Sequence, residues 1–199
     1  MSSRTSTSRP TVFAIWLILA GVVGWFAAFE LTLERFHQLA SPGSSASCDF
    51  NIVVQCGKNL ESWQGALFGF PNPILGLTGW VAPIVVGAAL LAGARFARWF
   101  WMLFWLGVAG AFALVVWLIV QSVFVIGTLC PWCMVTWAVT IPTFYAVTLH
   151  LVRAGLVPAS ARARKGAATL MGWTPVLTVV SYAIVALIAQ LRLDWIGTL

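Results

Sequence analysis

The chain contains four cysteines, which form two pairs with different spacings. Cys48 and Cys56 lie in one loop, and Cys130 and Cys133 lie in a Cys-Pro-Trp-Cys segment at the start of a hydrophobic stretch. Thiol–disulfide exchange proceeds by attack of a thiolate on a disulfide sulfur. Two such pairs at one membrane face can pass electrons from a soluble partner to a molecule dissolved in the lipid. The spacing therefore predicts a redox relay.

Pro131 predicts that a helix begins directly after Cys130. Proline suits the first helical position because its missing N–H has no partner there, so Cys130 is the expected N-cap. The free backbone N–H groups and the positive helix end favour a thiolate at Cys130. Cys133 lies one turn deeper, nearer the hydrocarbon. A disulfide within this pair closes too short a loop to stabilise the chain much, which favours a redox role.

Other interpretations of the cysteines stay open. The flanks of Cys130 and Cys133 are hydrophobic rather than the βαβ pattern of a soluble thioredoxin, and Met134 stands where haem attachment requires histidine. Four thiolates could bind zinc, but an oxidising face favours disulfides, so we expect no metal. A non-enzymatic membrane scaffold with two structural disulfides is the alternative from another functional class.

The composition indicates that these cysteines belong to a membrane protein. Hydrophobic residues make up 61% of the 199 residues and charged residues only 8%, against about 25% charged in a soluble domain. A bilayer crossing takes about 20 apolar residues. Stretches of this length occupy 11–33, 73–93, 99–127, 131–152 and 173–193. They lack the alternation of barrel strands, so the sequence predicts an all-α integral membrane protein.

Basic residues indicate how these spans are oriented. Most of them lie in alternate connections: Arg4, Arg9, Arg95, Arg98, Arg153, Arg162, Arg164 and Lys165. By the positive-inside rule the N-terminus is then cytoplasmic, and the cysteines and the C-terminus are extracytoplasmic. This distribution explains the net charge of +6 without nucleic-acid binding. The first span is too long for a signal peptide and lacks a small-residue cleavage site, so we expect it to be retained.

The predicted organisation has four parts. A cytoplasmic tail occupies 1–10, a catalytic bundle 11–152, a basic cytoplasmic loop 153–172, and a fifth transmembrane helix with a short extracytoplasmic tail 173–199. The cysteine loop within the bundle spans 34–72. Its aromatic second half predicts a cap half-embedded at the membrane interface, where Trp is favoured.

The order of the motifs carries a resemblance to a known family. Cys48-Asp-x6-Cys56 comes first, then Ser62-Trp-x-Gly-x-x-Phe-Gly, then the Cys130-x-x-Cys133 at a helix mouth. Over roughly 11–152 this order resembles the vitamin K epoxide reductase family in its bacterial branch. The resemblance implies a four-helix bundle around a quinone, with the cysteine loop as its cap and a fifth helix beside it. A DsbB-like enzyme of different fold is the alternative for the same reaction, but that group has its two cysteine pairs in the reverse order.

The resemblance also implies roles for individual residues. Cys48 and Cys56 match the loop pair, and Cys130 and Cys133 match the active-site pair. The implied quinone-binding residues are Ser62, Asn72, Phe68 and Trp137. Trp137 stands where animal members have Tyr and Leu60 where they have Phe, so we expect quinone reduction rather than epoxide reduction.

The resemblance finally implies what the protein works with. The quinone is menaquinone or ubiquinone in the lipid of the bacterial inner membrane. The chain stops at Leu199, directly after the fifth span, and this implies that a separate secreted or periplasmic thioredoxin-fold protein, DsbA-like, supplies the electrons.

Overall fold

The computed structural model describes residues 11–198, so the predicted tail 1–10 lies outside the described residues. The helices within this range are α1 Thr11–Ala40, α2 Gly57–Glu61, α3 Pro73–Gly79, α4 Val81–Leu91, α5 Arg98–Gln121, α6 Pro131–Arg153, α7 Ala161–Gly172 and α8 Thr174–Leu193. Three short turns complete them: 3₁₀ turns at Trp63–Ala66 and Trp195–Thr198, and a π-helical turn at Ser122–Ile126 that continues α5. Extended pairing over residues 11–198 is limited to one parallel bridge.

Five helical segments in the described range are long and apolar enough to cross a membrane. They are Thr11–Ala40, Pro73–Leu91, Arg98–Ile126, Pro131–Arg153 and Thr174–Leu193. These segments confirm the predicted spans, and the protein is an all-α integral membrane protein. The first helix ends at Ala40 rather than at residue 33, so α1 carries its polar last turns beyond the apolar stretch.

Helix α1 is the centre of the bundle. It packs against α3, α4 and α6, and α5 packs against α6. Glycines allow the α1–α4 contact: a Cβ at Gly21 would lie 2.5 Å from Ile84 Cγ1, and one at Gly87 would lie 2.6 Å from the Ala14 carbonyl oxygen. Small residues at such crossings let helix backbones approach closely in lipid. Helix α8 lies outside this group, against α6 and the π-helical turn.

The basic segment 153–172, predicted as a loop, contains helix α7. Ser160 caps α7, because its Oγ accepts a hydrogen bond of 3.2 Å from the Ala163 N–H. Serine is among the favoured N-cap residues, so the signal was present in the sequence but was obscured by the run of basic side chains. Helix α7 packs against α6 and buries Ala167 there.

Candidate redox site and the cavity beneath it

The first cysteine pair closes a short loop above the bundle. Cys48 and Cys56 form a disulfide with a Cα–Cα distance of 5.7 Å. The Asp49 carboxylate holds both ends of this loop: it accepts hydrogen bonds from the N–H of Cys56 at 2.7 Å, of Gly57 at 2.9 Å and of Ala46 at 3.0 Å. Hydrogen bonds to a charged acceptor are stronger than neutral ones, so Asp49 fixes the backbone on each side of the disulfide.

The second pair lies at the mouth of α6, as the sequence predicts. Cys130 is the N-cap and Pro131 follows it in the first turn. The Cys130 Sγ accepts a hydrogen bond of 3.3 Å from the Cys133 N–H. Both side chains are free thiols; Cys130 is buried, and Cys133 is partly buried. The loop pair is therefore oxidised while the helix pair is reduced.

The two pairs meet through a backbone pairing. Leu129, the residue before Cys130, forms a parallel bridge with Val54. Its N–H donates to the Val53 carbonyl at 2.8 Å, and its carbonyl accepts from the Gln55 N–H at 3.0 Å. The disulfide and the Cys130 thiol consequently share one buried cluster, against which Cys133 also packs. The arrangement places the loop disulfide and the helix pair next to each other in the fold.

A cavity of about 410 Å³ lies beneath the cysteine cluster, between α1, α3, α4, α5 and α6. Cys133 forms part of its wall, together with residues that are mainly apolar. Helices α4 and α5 make few contacts with each other. Small residues of both helices line the cavity: Ala82 of α4, and Gly107 and Ala111 of α5. The cavity therefore has a cysteine in its wall and small residues where α4 and α5 border it.

Three of the four residues predicted to bind quinone line this cavity: Ser62, Asn72 and Trp137. Phe68 does not line it, and its contact with quinone stays a prediction. The chain turns at Gly69, which has a φ of 82°, and Phe68 lies exposed beside Phe70 with 6.4 Å between the ring centroids. Trp137 also lines a second apolar cavity, of about 320 Å³, on the α8 side of α6.

The polar groups of Ser62 and Asn72 are engaged within the cap. Ser62 Oγ donates to the Asn59 carbonyl at 2.7 Å and accepts from the Gly65 N–H at 3.2 Å. Asn72 Nδ2 donates to the Gln64 carbonyl at 2.7 Å, and its Oδ1 accepts from the Leu67 N–H at 3.1 Å. The Ser62 hydroxyl has thus used its only hydrogen, while Asn72 keeps a second amide hydrogen.

Sequence reasoning missed Asn59, a buried residue on the cavity wall. Its Nδ2 donates to Thr128 Oγ1 at 2.7 Å, and its Oδ1 accepts from Ser122 Oγ at 2.9 Å. Asn59 therefore joins the cysteine loop to the end of the third span and to the connection before Cys130. No local pattern marks it, because its partners lie more than sixty positions away.

Comparison with known proteins adds one match. The family model of the vitamin K epoxide reductase family matches residues 15–148. The matched range starts in α1, ends in α6 and includes all four cysteines and the cavity-lining residues named above, whereas α7 and α8 lie beyond it. No curated protein matches the chain.

Proposed function

The chain belongs to the vitamin K epoxide reductase family, and on that basis we propose that it is a thiol:quinone oxidoreductase supporting disulfide formation in exported proteins. Electrons enter from a secreted thioredoxin-fold, DsbA-like protein and leave to menaquinone or ubiquinone in the membrane. The observation that carries the proposal is the single buried cluster of Cys48, Cys56 and Cys130, with Cys133 between that cluster and the cavity.

The burial of the two loop cysteines supports an order for the relay. Cys48 is 4% exposed, whereas Cys56 is 0% exposed and has its N–H bound to Asp49. We therefore propose that Cys48, the less enclosed of the two, is the sulfur that the partner attacks. A partner thiolate bonds to Cys48, the Cys48–Cys56 bond breaks, and the electron pair goes to Cys56 as a thiolate.

The second exchange moves the electrons into the bundle. The Cys56 thiolate attacks Cys130 of an oxidised Cys130–Cys133 pair, and Cys133 leaves as a thiolate. The partner's second thiolate then displaces Cys48, and Cys48 displaces Cys130 from Cys56. This restores the loop disulfide, releases the partner as a disulfide and leaves two thiols at α6. The described state, a loop disulfide above two thiols, corresponds to the end of this sequence.

The cavity fits a quinone headgroup in size and lining. Small-molecule pockets range over about 300–1,000 Å³ and are mostly apolar, and this cavity, at about 410 Å³, falls in that range. A bound quinone supplies the two-electron, two-proton acceptor that returns the helix pair to a disulfide. Cys133 presents its thiol to that space, Trp137 offers an indole ring and N–H, and Asn72 offers its remaining amide hydrogen.

The proposed location is the bacterial inner membrane, with the cysteines on the extracytoplasmic side. The asymmetry of the basic residues supports this orientation, and disulfides persist in that compartment. A DsbA-type oxidant has a potential of about −120 mV, so its reoxidation requires an acceptor such as quinone rather than glutathione.

Anaerobic quinone reduction tests the proposal. Purified protein is mixed with reduced DsbA and either ubiquinone or menaquinone, and quinone absorbance is followed for wild type, Cys133→Ala and Met134→Ala. We expect turnover in wild type and in Met134→Ala, and none in Cys133→Ala. Absence of quinone reduction by folded wild type with any dithiol, and cysteines that resist partial reduction, would instead support a scaffold with structural disulfides.

A further inference from the structure

The segment between the loop cysteines forms a tight, internally bonded turn. The Phe50 N–H donates to the Val54 carbonyl at 2.9 Å. The Asn51 side-chain oxygen accepts from the N–H of Val53 at 2.9 Å and of Val54 at 2.7 Å. Gln55 Nε2 donates to the Ile52 carbonyl at 2.6 Å. Side-chain acceptors of this kind stabilise turns locally, so the turn has a defined shape of its own.

This turn is also anchored on both sides. On one side Val54 pairs with Leu129 at the mouth of α6. On the other, the Asp49 carboxylate and the disulfide fix the ends of the loop. The turn is therefore preorganised, and a partner that binds it does not have to order it first, which is a major cost of association.

The turn displays two large apolar side chains. Phe50 is 71% exposed and Ile52 is 75% exposed. They lie between the two loop cysteines, outside every segment of the described residues that could cross a membrane. Asp49 and Asn51 alternate with them along the chain, and Gln55 lies at the end of the turn. Exposed apolar groups held on a rigid, polar-rimmed element are typical of protein-binding sites.

We propose that Phe50 and Ile52 are the docking surface for the thioredoxin-fold partner, which contacts them with an apolar surface around its reactive dithiol. This inference rests on the proposed function. A mixed disulfide with Cys48 requires the two sulfurs to approach to about 2 Å. Phe50 is two residues from Cys48, so their Cα atoms are at most about 7 Å apart. A protein that bonds to Cys48 therefore comes within reach of Phe50.

Variants that change the surface without touching a cysteine test this proposal. The double variant Phe50→Ser/Ile52→Ser is compared with wild type and with Phe36→Ser/Leu39→Ser, which alters two exposed apolar side chains at the outer end of α1. Each protein is assayed for ubiquinone reduction with reduced DsbA over a range of concentrations. A parallel assay uses dithiothreitol, a small dithiol that needs no docking surface.

We expect the KM for reduced DsbA to rise at least tenfold in Phe50→Ser/Ile52→Ser, with kcat and the dithiothreitol rate within twofold of wild type. The α1 control should match wild type in all three quantities. An unchanged KM overturns the docking surface and assigns the turn to another contact, such as the lipid surface. If wild type reduces quinone with dithiothreitol but not with DsbA, the partner class is wrong and the relay is still supported. If it reduces quinone with neither reductant, the proposed function itself is wrong.

Discussion

Val54 pairs with Leu129 in a parallel bridge. Val54 lies two residues before Cys56, and Leu129 directly precedes Cys130. The hydrogen bonds on either side of the pair measure 2.8 and 3.0 Å. The bridge thus fixes the register between the cysteine loop and the mouth of α6. Because Leu129 directly precedes Cys130 and Val54 lies two residues before Cys56, we expect the bridge to align the loop disulfide with the helix pair.

Removal of one bridge hydrogen bond should slow transfer from the loop to α6. Gln55→Pro lacks the N–H that donates to Leu129, whereas Gln55→Ala keeps it. One hydrogen bond contributes about 1 kcal/mol, or about a fivefold change in the population of the aligned loop. We expect dithiothreitol-driven quinone reduction to fall about fivefold in Gln55→Pro and less than twofold in Gln55→Ala. Equal rates in the two variants would show that the bridge does not align the cysteines.

Asp49 should protect the loop disulfide. Asp49→Ala leaves three backbone N–H groups without their acceptor, a loss of about 1–3 kcal/mol. We expect the loop disulfide to be reduced faster by dithiothreitol, measured by trapping the freed thiols with a maleimide, and the Tm in detergent to fall. Asp49→Asn keeps the oxygen that binds Cys56 and Gly57 and should lie between the two. A wild-type trapping rate in Asp49→Ala would contradict the assigned role.

Asn59 should matter for stability through its two hydroxyl partners. Asn59→Leu leaves Thr128 and Ser122 unpaired in a buried environment, and an unsatisfied buried group costs about 1–3 kcal/mol. We therefore expect a lower Tm in Asn59→Leu. The triple variant Asn59→Leu/Thr128→Val/Ser122→Ala removes all three polar groups and should recover part of the loss. If the triple variant has a lower Tm than Asn59→Leu, the unpaired hydroxyls of Thr128 and Ser122 are not the cause of the lost stability.

Gly24 should control the position of Trp80, a residue of the cavity wall. A Cβ at Gly24 would lie 2.2 Å from the Trp80 ring, so Gly24→Ala must displace the indole or the helix. We expect a lower Tm and a higher KM for ubiquinone. Gly110→Ala is the matched control, since no atom lies within 4 Å of its added Cβ; alanine there should be neutral or stabilising by up to about 1 kcal/mol. Identical behaviour of the two variants would exclude a packing role for Gly24.

The parts of the fold that depend on local sequence were predictable. Apolar stretches gave the five spans, and Pro131 after Cys130 gave the N-cap, because hydropathy and proline geometry act within one segment. The bridge between Val54 and Leu129 was not predictable in this way. It joins residues far apart in the chain and leaves no periodic pattern in either of them.

In the candidate site, too, some features could be predicted from the sequence and others depend on contacts in the folded protein. The resemblance to the family implied Ser62, Asn72 and Trp137, which line the cavity. It could not assign the hydrogen bonds of Ser62 and Asn72, which depend on neighbours in the folded cap. The resemblance implied Phe68 in the same way, yet Phe68 lies exposed before the turn at Gly69 and does not line the cavity. Asn59 was missed because a single asparagine in a short amphipathic helix is equally compatible with exposure to water.

The complete burial of Cys130 limits which molecules can react with its sulfur. Cys130 is 0% exposed and lies in one cluster with the loop disulfide, so a dissolved thiol cannot reach the Cys130 sulfur directly. The apolar cluster shields Cys130 from water, and the cysteines nearest to it are those of the loop and Cys133. Of the two helix cysteines, only Cys133 is partly exposed, and it borders the cavity.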